Sequence, residues 1–135
     1  MSKHLTKDSK GKPNGYVLEI WSALVNPELR PDQVYLTAVA PHSRKGPHLH
    51  MKRRGLFFCV KGTVRIVTRF REFGEVCASY GHMVLCDQGG ALIVGPGTPC
   101  AIYNDGDTEA LVLNLPSPAW SADDPDEWPV EEWID

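Results

Sequence analysis

The chain has 135 residues, enough for one hydrophobic core without disulfide or metal staples, and residues 1–135 read as a single domain. Fourteen Lys and Arg against seventeen Asp and Glu give a formal net charge of −3, with no basic run dense enough to suggest a nucleic-acid partner. No apolar signal core opens the sequence and no apolar run is long enough to span a bilayer, so a cytoplasmic protein without a membrane partner is expected.

In chain order, residues 1–15 ("MSKHLTKDSKGKPNG") read as a loose arm. Helix signals are poor after it, because Gly and Pro recur throughout. Short β-rich runs follow instead: "YVLEIWSALV", "QVYLTAVA", "GLFFCV", "TVRIVTRF", "HMVLC", "ALIV", "CAIYN" and "EALVLNL". Turn residues separate them, and this alternation predicts an all-β sandwich or barrel. Two tight hairpins are expected, one centred on Lys61-Gly62 and one on Asp105-Gly106. Residues 116–135 read as an irregular acidic tail packed by Trp120, Trp128 and Trp133; from Ser121 onward it carries seven acids and no base. Lys and Arg concentrate between residues 44 and 71, which suits either an anion site or a solvated rim. Cys59, Cys77, Cys86 and Cys100 show no CxxC spacing, so a zinc knuckle is not expected.

The chemistry concentrates in "KGPHLHMKRR", Lys45 to Arg54. On a strand, His48 and His50 would share one face about 6.6 Å apart. Such a pair can be half a metal site, a proton-transfer pair, or two ordinary strand residues. His42 lies in the preceding loop, and His4 and His82 read as structural or solvated. Farther on, Arg65, Val67 and Arg69 share one strand face and Val64, Ile66 and Thr68 the other. If the Arg face points inward, Arg65 and Arg69 are phosphate ligands, for which the guanidinium fork is suited. The alternative is a solvent-facing pair on the outer sheet.

Over roughly residues 30–116 the sequence resembles the cupin family, whose fold is a double-stranded β-helix or jelly-roll barrel. The cupin HxH falls on His48-Leu49-His50, with Gly55 at the position of the motif's Glu and Gly62 six residues beyond it. The second cupin motif falls on Gly89, then Gly95-Pro96-Gly97, Cys100 in place of its His, and Asn104. A cupin metal centre takes three His and one Glu. With Gly55 and Cys100 in two of those places, neither a metal nor another cofactor is expected. A zinc site of His48, His50 and Cys100 stays open.

The match is similar in finer detail to cupins that act on nucleotide-linked keto sugars. Lys45-Gly46-Pro47-His48-Leu49-His50 is similar to the RGxHAHK of the 3,4-ketoisomerases. Gln33 has the spacing of the phosphate-binding Gln of the 3,5-epimerases, and Tyr35 falls close to the active-site Tyr of the ketoisomerases. The resemblance implies His48 and His50 as catalytic residues with Tyr35 orienting or polarising the sugar. It also implies a nucleotide-diphosphate-linked substrate bound by Gln33 and Lys45, and a homodimer; Arg65 and Arg69, from their strand face, and Tyr103, nearby but out of register with the epimerases' Tyr, complete the expected binding residues. The epimerases' catalytic-site Lys would sit at Gly55, and "EALVLNL" lacks their acid Tyr. The expected activity is therefore a metal-independent 3,4-ketoisomerase of a 4-keto-6-deoxy sugar. The rivals are a 3,5- or 3-epimerase and a non-catalytic or metal-dependent small-molecule-binding cupin.

Overall fold

A computed structural model describes residues 2–22, 30–72 and 75–134. Among these described residues ten strands follow in order: β1 Ser2–Lys7, β2 Pro13–Glu19, β3 Tyr35–Val39, β4 Ser43–His48, β5 Gly55–Lys61, β6 Thr63–Glu72, β7 Glu75–Cys86, β8 Leu92–Val94, β9 Cys100–Asn104 and β10 Ala110–Asn114. Two antiparallel four-stranded sheets, ordered β3-β10-β5-β8 and β4-β9-β6-β7, form the body. The chain changes sheet between β3 and β4, β4 and β5, β5 and β6, β7 and β8, β8 and β9, and β9 and β10. Strands wound in this way make a jelly roll, as expected.

The core lies between the two sheets. Val39, Phe57 and Val112 enter it from one layer, and Val64, Ile66 and Ile102 from the other. Strand β5 is buried on both faces, since Leu56 and Phe58 pack on Leu115, Ile20 and Trp21 behind the first sheet. That double burial explains the unbroken apolar run "LFFCV" where a half-exposed strand would alternate.

Neither expected hairpin exists. Lys61-Gly62 joins β5 to β6 and Asp105-Gly106 joins β9 to β10, and in each case the two strands belong to different sheets. The turn chemistry was real, because Gly62 has φ 78° and its missing Cβ would lie 3.4 Å from Ala110. It turns a corner between layers rather than pairing its flanks. The hairpin of this sheet is β6–β7. Strand β4 begins just after the loop that holds His42, and it pairs with β9.

The two ends also differ from expectation. The loose arm is part of a hairpin, with β1 and β2 forming a two-stranded sheet of their own. The expected strand at residues 16–25 ends at Glu19, and its residues 23–25 lie outside the described residues. The tail has no long strand but is anchored at several points. Trp128 bridges to Leu49, the Trp133 indole donates to the Tyr103 hydroxyl at 2.8 Å, and Arg69 donates to the carbonyls of Glu131 and Glu132. Trp120 and Trp128 remain exposed. Among the described residues no helix is long and apolar enough to cross a membrane.

Candidate active site

The histidine strand is aimed by a β-bulge. Lys45 pairs with Ile102 and His48 with Cys100, so Gly46 and Pro47 together oppose Ala101 alone. Without the extra residue, positions 45 and 48 would face opposite ways; with it both face the barrel interior. Gly46 is required there. Its φ is 94°, and a Cβ would stand 3.0 Å from both the His48 ring and the Cys100 carbonyl.

His50 lies just past β4, held where its carbonyl accepts from Gly97 N–H at 2.6 Å. The two imidazoles stack nearly parallel, with centroids 6.3 Å apart, close to the spacing expected for i and i+2 on a strand. Both line a pocket of about 290 Å³ at one end of the barrel, together with Tyr35, Thr37, Lys45, Arg53, Phe57, Cys100 and Asn114.

The environment favours neutral imidazole at His48. Although the side chain keeps some exposure, desolvation lowers its pKa from the ordinary 6.5, and the charges of His50, Arg53 and Lys45 add to this against a smaller opposing pull from Glu127. Two contacts bear on the tautomer of His50. Its Nδ1 is 2.7 Å from the Asp126 carbonyl oxygen, which can only accept, and 3.1 Å from Arg53 Nη2, which can only donate. The shorter contact favours the proton on Nδ1, with Nε2 of the neutral ring as the free base. Arg53 also donates to the Pro125 carbonyl.

The residues do not fit the family's metal centre. Gly55 offers no carboxylate, and a Cβ there would come within 2.6 Å of the Phe57 ring, which fills the space a Glu would need. Cys100 stands in place of the motif's His, and burial pushes its thiol up to about 12. Among the described residues no cluster of three His, Cys, Asp or Glu side chains is placed to hold a metal.

Of the residues expected in the site, His48, His50, Tyr35 and Lys45 meet in the pocket. Gln33 stands behind it, accepting from the Tyr35 hydroxyl at 2.6 Å and from Trp120 N–H at 2.8 Å. Arg65, Arg69 and Tyr103 are elsewhere. Val64 and Ile66 face the core, so Arg65 and Arg69 point outward. Arg65 pairs with Asp105 at 2.9 Å and lies 4.5 Å over the Tyr103 ring, while Arg69 reaches the tail. His42 is exposed and paired with Asp107 at 2.7 Å.

Three residues of the site escaped the sequence reading. Arg53 lies in the "MKRR" turn just after the histidines. Asn114 is a lone amide in an apolar strand, a signal that was available. Its Oδ1 accepts from Leu56 N–H at 3.1 Å, which leaves its NH2 as the group it presents to the pocket. Asp126 reaches the site from 76 residues beyond His50, and no local pattern announces that contact.

No curated protein matches the sequence. Among solved structures the fold is similar to the capsular polysaccharide assembling protein CapF of Staphylococcus aureus, with 24% identity and TM-score 0.63 over 76% of this chain. This chain spans 30% of that CapF chain. It is similar to the dTDP-4-dehydrorhamnose 3,5-epimerase of Elizabethkingia anophelis, with 18% identity and TM-score 0.66 over 93% of this chain and 70% of that one. It is also similar to a substituted form of the 3,4-ketoisomerase QdtA of Thermoanaerobacterium thermosaccharolyticum, solved with TDP-4-keto-6-deoxyglucose. That match has 17% identity and TM-score 0.64 over 90% of this chain and 83% of that one. The family model described as Cupin matches residues 3–117, and the chain belongs to the cupin family.

Proposed function

We propose that the protein is a sugar-nucleotide isomerase, and specifically a metal-independent 3,4-ketoisomerase of a nucleotide-diphosphate-linked 4-keto-6-deoxy sugar. The observation that carries this reading is the stacked His48–His50 pair, 6.3 Å between centroids, in the wall of the pocket. The structural neighbours that act on TDP- or dTDP-linked sugars support the substrate class.

The C4 ketone of such a sugar acidifies the proton on C3. Neutral His48 takes that proton; the C3–H electrons form the C3=C4 bond and the charge moves to O4. Asn114 NH2 and the cation of Lys45 or Arg53 stabilise that oxygen. Return of a proton to C4 from the His48 imidazolium, with the O3 proton carried by the other imidazole to O4, leaves a ketone at C3, a hydroxyl at C4 and both imidazoles neutral. His50, with Nε2 free, serves the second transfer. Tyr35 orients the sugar by accepting from a ring hydroxyl, since its own proton is held by Gln33.

A 3,5-epimerase needs an acid on the opposite sugar face. Strand β10 offers Asn114 there, an amide with no proton to give, and the Tyr35 proton is engaged. With Arg65 and Arg69 turned outward, Lys45 and Arg53 are the cations left at the pocket for the diphosphate. We read the chain as a homodimer, because the β1–β2 hairpin presents Leu5, Tyr16 and Val17 as exposed side chains. Proton NMR of TDP-4-keto-6-deoxyglucose with the purified protein tests the activity. A 3-keto product is expected; exchange at C3 and C5 without it indicates an epimerase, and no change at either carbon contradicts both.

A further inference from the structure

The C-terminal tail reaches the proton-transfer pair through one residue. Both carboxylate oxygens of Asp126 are engaged. Oδ1 accepts from Met51 N–H, and Oδ2 from Lys52 and Arg53 N–H, each at 2.9 Å. The Trp128 indole adds a fourth donor at 3.1 Å. Three successive backbone N–H groups around one carboxylate form an anion-binding nest, here filled by the chain itself. Desolvation works against the charge, but these four donors outweigh it and hold the Asp126 carboxyl down at about 2.

The contact then passes back to His50. Asp126 has φ 52°, in the left-handed region that Asp tolerates better than most residues. Its own carbonyl is the acceptor 2.7 Å from His50 Nδ1. One turn farther, Trp128 N–H donates to Leu49 O at 3.1 Å, so the tail runs alongside the histidine segment on both sides of this contact. Imidazoles in working sites are held in one tautomer by an acceptor on the other ring nitrogen.

We propose that Asp126 is a positioning residue, its carboxylate anchoring the tail in the Met51–Arg53 nest so that its carbonyl fixes the Nδ1–H form and the orientation of His50. The proposal deepens the proton-transfer reading of the pocket and rests on it for its kinetic arm only. It makes the tail, which lies beyond the family's matched region, part of the working site.

The test compares the full-length wild type with Asp126→Ala and Asp126→Asn. Nitrogen-15 NMR of the imidazoles reads which His50 nitrogen carries the proton, and formation of the 3-keto sugar gives kcat and KM. In Asp126→Ala, His50 is expected to lose its exclusive Nδ1–H form. There kcat falls roughly 10- to 100-fold while KM stays within about threefold. Asp126→Asn recovers part of both effects, because an amide oxygen can still accept from two of the N–H groups and Asn tolerates the same φ. Should Asp126→Ala fail to unfold cooperatively, Asp126→Asn carries the comparison. A His50 that keeps Nδ1–H in the cooperatively folded Ala variant, or a kcat within about twofold of wild type there, overturns the proposal. If the wild type forms no 3-keto sugar, the functional reading fails, and the tautomer measurement still decides the role of Asp126.

Discussion

At the residue scale, His48 makes a prediction with a definite sign. Desolvation, then the charges of His50, Arg53 and Lys45, lower its pKa below 6.5, and Glu127 opposes them only in part. A lowered pKa keeps the imidazole neutral, and so competent as a base, to more acidic pH. The acid limb of kcat/KM for C3 exchange should therefore fall below pH 6.5, and His50→Ala should move it back toward 6.5 by removing one of those charges. A wild-type limb at or above 6.5 contradicts this account of the site. Gly55 makes a second prediction. Gly55→Glu restores the carboxylate of the cupin pattern on paper, but its Cβ would overlap the buried Phe57 ring at 2.6 Å. It should destabilise the fold by about 1–3 kcal/mol in urea unfolding and create no metal affinity. The histidine pair was legible because HxH spacing and strand geometry agree. Arg65 and Arg69 were misplaced because period-two alternation separates two faces without naming the inner one. Val67, buried on the Arg side, blurs the one clue that composition offers.

At the element scale, turn residues proved a guide to reversal and not to pairing. Both sites read as hairpins are corners between sheets, since a local sequence cannot show which distant strand lies beside it. Asn104 shows what such a corner needs. It is only 2% exposed, its NH2 donates to Val39 O at 2.9 Å and Thr108 O at 2.8 Å, and its Oδ1 accepts from Gly106 N–H at 3.0 Å. Replacement by Leu strands two carbonyls and one N–H, so Asn104→Leu should lower stability by about 2–4 kcal/mol in denaturant unfolding. A loss under about 1 kcal/mol would show that the corner holds itself without the amide. The motif position of Asn104 could be read from the sequence. The tail was legible only as acidic and Trp-bearing, because its contacts with Leu49–Arg53 and with Tyr103 span too many residues for any local pattern.

At the scale of the whole molecule, one jelly roll carries a histidine pocket at one end, with structured segments added at each terminus. The all-β architecture followed from the even spacing of short apolar runs and Gly/Pro turns, a property of the entire chain. The β1–β2 hairpin is a sheet apart, with Leu5 81% exposed, and a lone two-stranded hairpin is marginal in water. Light scattering is expected to give twice the 15.0 kDa of one chain, with Leu5→Asp and Val17→Asp shifting the protein toward monomer. A wild-type monomer at micromolar concentration would remove the homodimer from this account. The central claim, that the stacked imidazoles move protons on a keto sugar, is tested most directly by deuterium uptake at C3 of TDP-4-keto-6-deoxyglucose in D2O. Wild type is compared with a His48→Ala, His50→Ala double variant, both freed of metal by chelator. Uptake at C3 in the wild type and a loss of at least about a hundredfold in the double variant is the predicted result. Equal uptake by the two proteins would contradict it.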